Sequence, residues 1–479
     1  MDKSFRVIIV GGSIAGLSLA HCLDHVGIEY VVLERHHDIA PRVGASVGIM
    51  PNGARILDQM GLFDAVEAEI EPLHRSHINY PDGFSFTSNF PKILSDEFGY
   101  PVSFLDREKF LAILYARLKD KDLIHLKKEV IKVENVKSKV RVDTSDGDYC
   151  YADLVVGADG VHSKVRSAMW QDAGEKMPSL ISSKEKSSIT VEYTCIYGIS
   201  TAVSGLKIGE QITCFYDHLT ILTFHGKAGR VFWFVIEKTD KKYYWPNIPR
   251  FSNVDAETLC ESLASRKVYN DVDFGHIWAK RETYSMTALE ENVFERWHFG
   301  RIVCLGDSMH KLTPNLGQGA NSAIESAACL ANHLYSMAAM HGIHKPTDAQ
   351  LDSLLTAFTK PRRKRMREIL KEARFITRLQ ARDGLVNILI GRYIVPYSGD
   401  LPASMAGKVM HGAEKLEFLQ LPQRSKKGWP EDNQSRRARV VLKGASMLVL
   451  AGLGLAWCAG LLGTVALEAA RSRQGQFVF

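Results

Sequence analysis

The order of apolar and polar positions near the start of the chain predicts a strand, a helix and a second strand. Residues 7–10 are apolar and mostly β-branched, residues 17–25 follow a helical period, and residues 30–33 form another apolar run. A glycine-rich turn at residues 11–16 separates the first strand from the helix, and Gly27 ends the helix. Strands that alternate with helices in this way form parallel sheets. The chain therefore begins with a predicted parallel βαβ unit.

A different pattern occupies residues 181–298. The runs "SSITVEYTCIYGIS", "EQITCFYDHLTILTFHG" and "GRVFWFVIEK" read as antiparallel strands joined by turns, and "SHINYPDGFSF" predicts a further strand earlier in the chain. Strand, turn and helix patterns return on either side of this region. We predict an α/β fold whose nucleotide-binding domain is split over residues 1–70, 106–180 and 299–345. An antiparallel sheet from residues 71–105 and 181–298 is inserted between its parts, and residues 346–420 form a C-terminal helical region.

The C-terminal end of the sequence is apolar. Residues 444–467 contain no charged side chain, and a helix of this length spans about 36 Å, against about 30 Å for a bilayer core. The pattern predicts a transmembrane helix preceded by a basic linker, residues 421–443. Four basic residues precede the helix and two follow it, which predicts that the large N-terminal part lies on the cytosolic side.

Two other stretches in the C-terminal third allow more than one interpretation. "GLVNILIGRYIVPY", residues 384–397, is too short to span a bilayer and could be either buried core or an interfacial patch. The Arg/Lys cluster at residues 362–367 is predicted to be the solvated face of a helix, with contact to acidic lipid as the alternative.

Composition limits the classes of function. The 479 residues are 46% hydrophobic and 24% charged with a formal net charge of +6, and basic and acidic residues are mixed along most of the chain. A nucleic-acid-binding protein would show a basic patch. Because the basic residues here are mixed with acidic ones, we predict no binding to nucleic acid. The eight cysteines are scattered without C-x-x-C spacing. This distribution argues against a metal site or a disulfide framework and favours a reducing compartment.

The turn of the βαβ unit carries a candidate binding motif. In "GGSIAG" the glycines Gly11, Gly12 and Gly16 surround Ser13, which replaces the middle glycine of the dinucleotide-binding fingerprint. The helix that follows presents free N–H groups and a partial positive charge to a pyrophosphate. Glu34 directly follows the second strand, where an acid accepts hydrogen bonds from ribose hydroxyls. We predict dinucleotide binding here.

Two further blocks follow apolar runs that read as buried strands. "GADGVHSKVR" contains Asp159, and "GDSMHKLTPNLGQGAN" contains Asp307, three further glycines and the start of an Ala-rich helix. An ordinary strand-loop-helix turn would also use glycine, so either block alone is weak evidence.

The three blocks in this order resemble the FAD-dependent monooxygenases of the para-hydroxybenzoate hydroxylase-like family over roughly residues 5–335. The sequence is most similar in character to fungal epoxidases that act on prenyl chains in meroterpenoid and indole-diterpene pathways. The resemblance implies a Rossmann-like FAD-binding domain with an inserted antiparallel β-sheet substrate domain. The FAD contacts that it implies are Gly11, Gly12, Ser13, Gly16, Glu34, Gly48, Arg107, Asp159, Asp307, Pro314, Gly317, Gly319 and Ala320.

The same resemblance implies the reaction. NAD(P)H reduces the flavin, O2 adds to form a C4a-hydroperoxyflavin, and one oxygen atom passes to an alkene of a lipophilic prenylated substrate. Tyr216 and, less strongly, Tyr193 are the expected catalytic side chains on the inserted sheet, and His310 is expected to be structural. With the C-terminal anchor, these features predict an endoplasmic-reticulum membrane enzyme whose catalytic part faces the cytosol.

Other functions remain open from sequence alone. An aromatic hydroxylase or Baeyer–Villiger monooxygenase would share the fold and differ in the position of the added oxygen. A prenyl-chain reductase is a further enzyme of similar fold. A non-catalytic binder of prenylated proteins would have lost its flavin contacts and would be colourless when purified.

Overall fold

The computed structural model describes residues 5–41, 46–340, 342, 345–424 and 428–429. The chain divides into two compact units, Met1–Lys426 and Lys427–Phe479. All elements described below belong to the first unit.

The strands, in chain order, are β1 Arg6–Val10, β2 Glu29–Leu33, β3 Ser46–Ile49, β4 Arg75–Asn79, β5 Ser85–Ser88, β6 Ser103–Asp106, β7 Ile124–His125, β8 Val130–Val136, β9 Lys139–Thr144, β10 Tyr149–Ala152, β11 Leu154–Gly157, β12 Thr190–Ser200, β13 Glu210–Tyr216, β14 Leu219–His225, β15 Val231–Tyr244, β16 Lys267–Tyr269, β17 Val272–Asp273, β18 Arg281–Val293, β19 His298–Phe299, β20 Ile302–Cys304 and β21 His310–Lys311.

The α-helices are α1 Ile14–Val26, α2 Pro51–Gln59, α3 Phe63–Glu67, α4 Phe90–Phe98, α5 Arg107–Ala116, α6 Lys164–Lys176, α7 Ser183–Lys186, α8 Asn253–Ser262, α9 Phe274–Ala279, α10 Gln318–Tyr335, α11 Asp348–Gln380, α12 Leu385–Leu389 and α13 Leu401–His411. Short 3-10 or π-helical segments lie at Lys121–Leu123, Lys227–Gly229, Gly306–Ser308, Pro314–Leu316, Ser336–Met340, Ile390–Ile394 and Val395–Tyr397.

A six-stranded sheet in the order β19-β20-β11-β1-β2-β7 forms the nucleotide-binding part. The neighbours from β20 to β7 are parallel, as the βαβ pattern predicts. The carboxyl ends of β1, β2, β11 and β20 therefore meet at one edge, because parallel strands end on the same side of a sheet. The three sequence blocks all leave the sheet at this edge, which confirms a mixed α/β fold with a Rossmann-like sheet.

An eight-stranded sheet contains the strands of the second region, in the order β21-β18-β12-β15-β14-β13-β4-β5. The pairs from β18 to β13 are antiparallel, and "SHINYPDGFSF" supplies β4 and β5. β4 joins β13 in parallel, an arrangement that a hairpin could not form but that two distant segments can. A three-stranded sheet of β8, β9 and β10 was not predicted, although the alternating burial of β9 is the pattern of a half-buried strand.

Both faces of the eight-stranded sheet are covered. One face packs through Ile212, Ile221 and Trp233 against the apolar residues of α8 and α9. The opposite face carries Leu222 and Ile236 and packs against the C-terminal end of α11 at Ala381. Because strand residues alternate between faces, these two clusters define an outer face, toward α8 and α9, and an inner face, toward α11.

The Arg/Lys cluster at residues 362–367 is only partly solvated, which corrects the prediction. Arg362 is completely buried in α11, and its guanidinium lies 2.6 Å from the Glu325 carboxylate of α10, which is also completely buried. Arg365 holds the other oxygen of that carboxylate at 2.7 Å. Arg363 and Arg367 pair instead with Glu295 at the surface. The acidic partner of the buried pair is far away in sequence, so the charge pattern of α11 alone could not reveal it.

The structure gives no support to the predicted transmembrane helix or to the membrane localisation that depends on it. Among the described residues, every helix is either too short or too polar to cross a bilayer. Even α11, with 33 residues, is rich in lysine and arginine. The predicted span, residues 444–467, itself lies outside the described residues.

Candidate cofactor site and substrate-facing surface

The turn between β1 and α1 has the shape that a dinucleotide requires. Gly11 adopts φ +107°, and a Cβ at this position would lie 2.4 Å from the backbone oxygen of Ala158. A Cβ on Gly16 would lie 1.9 Å from the backbone oxygen of Gly11. The two glycines therefore allow β1, α1 and the Asp159 block to approach one another. The first N–H groups of α1 have no partner within the helix and can bind an anion.

Glu34 is held in a fixed orientation at the end of β2. One carboxylate oxygen accepts a hydrogen bond from the Gly12 backbone N–H at 2.7 Å, and the other accepts from the His36 N–H at 2.9 Å. The side chain is largely buried. A carboxylate fixed in this way next to the glycine turn is placed to accept hydrogen bonds from a ribose diol.

Ser13, Arg107 and Asp307 come together although they lie far apart in sequence. Arg107 begins α5 and donates a hydrogen bond to the Ser13 hydroxyl at 2.7 Å. Burial lowers the pKa of Arg107, and the nearby charges of Asp307 and Glu34 oppose that shift. Asp307 also pairs with Lys311. The site thus combines a buried cation and two carboxylates beside a helix N-terminus.

Asp159 lies at the same edge, but its carboxylate is occupied. It accepts hydrogen bonds from the Ser163 hydroxyl at 2.6 Å and from the N–H groups of Lys164 and Val165 at 2.7 and 3.1 Å. Burial raises the pKa of Asp159, and these hydrogen bonds counteract the shift. In this arrangement Asp159 stabilises the N-terminal turn of α6. A direct cofactor contact from Asp159 stays a prediction.

Arg166 was not singled out from the sequence, yet it links two of the three blocks. Its guanidinium donates to the backbone oxygen of Ser308 at 2.6 Å and to that of Val161 at 2.8 Å. It also lies 4.3 Å from the centre of the Phe294 ring. The position of Arg166 at the end of the "GADGVHSKVR" block was the available signal.

The loop before α10 supplies the third part of the edge. Pro314–Leu316 form a short 3-10 turn, and Gly317 follows at φ +62°. Gly319 and Ala320 lie in the first turn of α10, and a Cβ on Gly319 would meet no atom within 4 Å. At Gly319 the loop therefore presents a helix N-terminus and open space.

Asn321 anchors this loop to β3. Its amide donates to the backbone oxygens of Gly48 at 2.9 Å and Gly317 at 2.6 Å, and its side-chain oxygen accepts from the Met50 N–H at 3.1 Å. Behind it, Asn52 donates to Gln318 and to Glu325. The loop is thus connected to the buried pair of Glu325 with Arg362.

These residues fit FAD. The glycine turn and the start of α1 suit a pyrophosphate, Glu34 suits a ribose diol, and the open start of α10 suits a planar ring that must touch backbone. Arg107 supplies a positive charge close to Ser13, between the glycine turn and Asp307. The predicted cofactor residues on the four strand ends are therefore brought to one edge.

The two predicted catalytic tyrosines lie on opposite faces of the eight-stranded sheet. Tyr216 packs on the outer face, toward α8 and α9, and its hydroxyl donates to the backbone oxygen of Lys267 at 2.6 Å. Tyr193 lies on the inner face, but it is buried and donates to Asp383 at 2.8 Å. Burial and Asp383 raise the pKa of Tyr193, and burial raises the pKa of Tyr216 to about 12. Both hydroxyls are therefore engaged away from the cofactor edge.

A cluster of aromatic rings lies beside Gly48, a predicted flavin contact. The ring of Phe104 stacks on Phe224 with centroids 3.8 Å apart, and Phe234 packs edge-on against Phe224 at 6.0 Å. A Cβ on Gly48 would lie 3.1 Å from the Phe104 ring. We call Phe104, Phe224, Phe232 and Phe234 the aromatic wall.

Tyr197 is the inner-face tyrosine that sequence reasoning missed. It lies four residues after Tyr193 on β12, packs with Phe224 and Phe234 against the inner-face cluster, and lies near Arg107 and Lys311. The period of β12 placed Tyr193 and Tyr197 on one face. Only the fold shows that Tyr197 is the one near the cofactor edge.

Comparison with known proteins identifies the family. Residues 4–372 match the family model described as "FAD binding domain". The chain belongs to this FAD-binding family, as its glycine turn and convergent strand ends indicate.

Curated relatives define the class of enzyme. The chain is 51% identical over 437 residues to the FAD-dependent monooxygenase atmM of Aspergillus flavus, covering 91% of each chain. It is 49% identical over 439 residues to the FAD-dependent monooxygenase paxM of Penicillium paxilli, covering 91% of this chain and 92% of the relative. The protein is an FAD-dependent monooxygenase.

Solved structures support the fold. HpxO of Klebsiella pneumoniae, complexed with FAD and uric acid, matches with a TM-score of 0.68 at 20% identity over 85% of this chain and 97% of that chain. CtdE in complex with FAD and its substrate 4 matches with a TM-score of 0.63 at 20% identity over 84% and 97% of the two chains.

Proposed function

We propose that this FAD-dependent monooxygenase epoxidises an alkene of a prenylated, lipophilic intermediate, with NAD(P)H as electron donor. One alkene, one O2, one NAD(P)H and one proton give one epoxide, one water and one NAD(P)+. The π bond of the alkene is replaced by two C–O bonds, and the second oxygen atom leaves as water with the two electrons of the hydride. Bound FAD supplies the activation of O2 in this scheme.

The observation that carries the proposal is the aromatic wall beside the predicted flavin loop. Phe104, Phe224 and Phe234 pack ring against ring, and Phe104 lies beside Gly48. Such a surface binds an apolar chain and excludes water from the reacting atoms. An alkene has no acidic proton, so the reaction needs no strong base on the wall.

Within this proposal, Tyr197 takes the role that the sequence suggested for Tyr216 and Tyr193. Its side chain lies beside the aromatic wall and near the charged groups of Arg107 and Lys311. The Tyr197 hydroxyl holds a proton that can be donated to a hydrogen-bond acceptor at the reacting centre.

The test is product analysis with labelled oxygen. FAD-loaded protein is incubated with NADPH, ¹⁸O₂ and a panel of prenylated indoles and phenols, and products are analysed by mass spectrometry and NMR. We expect one ¹⁸O in an oxirane on the prenyl chain. We expect Tyr197→Phe to lower turnover by about 100-fold while the flavin spectrum and FAD affinity stay unchanged.

Other products would contradict the proposal and indicate a different activity. Oxygen on an aromatic ring would indicate a hydroxylase, and an ester or lactone from a ketone would indicate a Baeyer–Villiger enzyme. A colourless protein that takes up no FAD would favour the non-catalytic binder.

A further inference from the structure

The loop before α10 is held from two sides. We call residues 313–317 the flavin loop. Asn321 of α10 holds the C-terminal end of this loop by a hydrogen bond to its last backbone oxygen. On the other side, the side chains of Thr313 and Asn315 contact the C-terminal part of α11. Because these two residues flank Pro314, α11 holds the loop directly before and directly after a predicted flavin contact.

Thr377 of α11 is at the centre of this contact. Its side chain is completely buried. Its hydroxyl lies 2.9 Å from the Thr313 hydroxyl and 2.8 Å from the Asn315 side-chain oxygen. It also lies 2.8 Å from the backbone oxygen of Ala373, one turn earlier in the helix. A hydroxyl carries one proton and two lone pairs, so Thr377 can donate to one of these oxygens and accept from the Thr313 hydroxyl. A side chain without an oxygen could do neither.

Gln380 makes the second contact from α11. Its side-chain oxygen accepts a hydrogen bond from the Asn315 amide nitrogen at 2.6 Å. With its nitrogen bound there, Asn315 directs its side-chain oxygen toward Thr377. Both ends of the Asn315 amide are therefore used by α11, and the position of the flavin loop follows the position of this helix.

The same part of α11 is fixed to the eight-stranded sheet. Arg374 pairs with Glu291 of β18 at 2.8 Å, and Arg378 pairs with Glu192 of β12 at 2.6 Å. The Glu291 side chain is only 3% exposed, so without Arg374 it would be a buried carboxylate without its charge partner, which is costly. The C-terminal part of α11 therefore cannot move away from the sheet without a large loss of stability.

We propose that Thr377 and Gln380 are positioning residues, which act on bound FAD through the flavin loop. The loop offers backbone N–H groups and the N-terminus of α10, whose partial positive charge stabilises negative charge on a reduced flavin ring. A loop released from α11 would stabilise that charge less. The inference requires that the protein binds FAD, and it does not depend on which substrate is oxygenated.

The experiment compares variants of the full-length, FAD-loaded protein. Thr377→Val removes the hydroxyl and keeps a branched side chain, whereas Thr377→Ser keeps the hydroxyl. The matched control is Thr359→Val on the same helix. Thr359 is also buried, and its hydroxyl contacts His298 at 3.4 Å and the Thr356 backbone oxygen at 3.5 Å instead of the flavin loop.

Two properties of the bound cofactor are measured. FAD affinity is obtained from the flavin fluorescence that appears when the loaded protein is diluted. The midpoint potential of bound FAD is obtained by stepwise reduction together with a reference dye. The melting temperature of each FAD-loaded variant shows whether the fold is intact.

We expect Thr377→Val to bind FAD about tenfold more weakly and to have a more negative midpoint potential. Thr377→Ser should restore both values, and Thr359→Val should behave like the wild type. Gln380→Leu should change both values in the same direction but less, since Asn315 would keep its contact with Thr377. Gln380 is half-buried, so this variant still tests the inference if Thr377→Val does not fold.

Three results would overturn the inference. Thr377→Val or, if it does not fold, Gln380→Leu could keep the wild-type FAD affinity and potential; a lower melting temperature alone would then assign a purely structural role. Thr359→Val could change both values as much as Thr377→Val does. Thr377→Ser could fail to restore the potential, which would show that the hydroxyl is not the group that positions the loop.

Discussion

The cofactor edge of the six-stranded sheet and the inner face of the eight-stranded sheet are built by different means. At the edge, backbone shape dominates: glycines allow close approach, and Glu34 is oriented by two backbone N–H groups. On the inner face, side chains of distant strands pack together, as Phe104 does on Phe224. The edge therefore depends on backbone conformation and close approach at a few positions, whereas the face depends on the packing of many side chains.

The largest effect should come from Gly11→Ala. The new Cβ would lie 2.4 Å from the backbone oxygen of Ala158, and φ would stay at +107°. Because β1 cannot move away without leaving its sheet, we expect the variant to lose FAD binding and much of its soluble yield. Visible flavin absorbance and FAD titration measure this loss.

Gly27→Ala is the matched control for this change. Gly27 also has positive φ, +69°, but a Cβ there would meet no atom within 4 Å. The strain should cost about 1 kcal/mol of stability and leave FAD affinity unchanged. If the Gly11→Ala protein were yellow with wild-type affinity, close backbone approach would not define the edge.

The same contrast explains what could be predicted from sequence. Gly11, Glu34, Asp159 and Asp307 each follow a strand, and parallel strands bring their carboxyl ends together, so the edge followed from local patterns. The face did not. Both sides of the eight-stranded sheet are covered, so the strand pattern could not tell which side carries the reacting centre. Tyr216 was predicted from the family resemblance; it lies on the outer face, and its catalytic role stays a prediction.

Glu325→Gln should have the second largest effect. It removes the charge between the buried guanidiniums of Arg362 and Arg365, and an uncompensated buried charge costs about 3–5 kcal/mol. Because Glu325 also accepts from Asn52 behind the flavin loop, FAD affinity should fall as well. Urea unfolding followed by circular dichroism measures the stability.

The control is Glu295→Gln, which removes the surface partner of Arg363 and Arg367. Glu295 is 56% exposed, and such surface pairs contribute about 0–1 kcal/mol. Equal effects of the two substitutions would contradict a special role for the buried pair at the edge.

The third largest effect should be a dependence of folding stability on pH. Burial lowers the pKa of His310 from 6.5 to about 3, and Arg362 adds to the shift. A folded-state pKa below the unfolded one gives stability that is complete above pH 6.5 and is lost as pH falls toward 3. Between pH 6.5 and 5, the loss is about 2 kcal/mol at about 1.4 kcal/mol per pH unit.

His310→Asn should flatten this part of the profile, measured as melting temperature from pH 7 to 5. His225, whose pKa burial lowers to about 4, contributes in the same window, so some slope should remain. Below pH 4.5 a second loss of folding stability should follow. Burial alone would raise the pKa of Glu325, but Arg365 and Arg362 outweigh it and lower that pKa from 4.5 to about 2. The surface variant for comparison is His218→Asn, at a side chain that is 59% exposed.

The smallest effects should distinguish the two faces of the sheet. Tyr193→Phe removes a buried hydrogen bond to the Asp383 carboxylate and should cost about 1.5 kcal/mol. Tyr216→Phe removes a more exposed bond to the Lys267 backbone oxygen and should cost about 0.5 kcal/mol. Neither should change the ratio of oxygenated product to NADPH consumed, because neither hydroxyl faces the aromatic wall. If Tyr216→Phe bound FAD normally yet released hydrogen peroxide instead of product, the reacting centre would lie on the outer face, and the wall would lose its assignment.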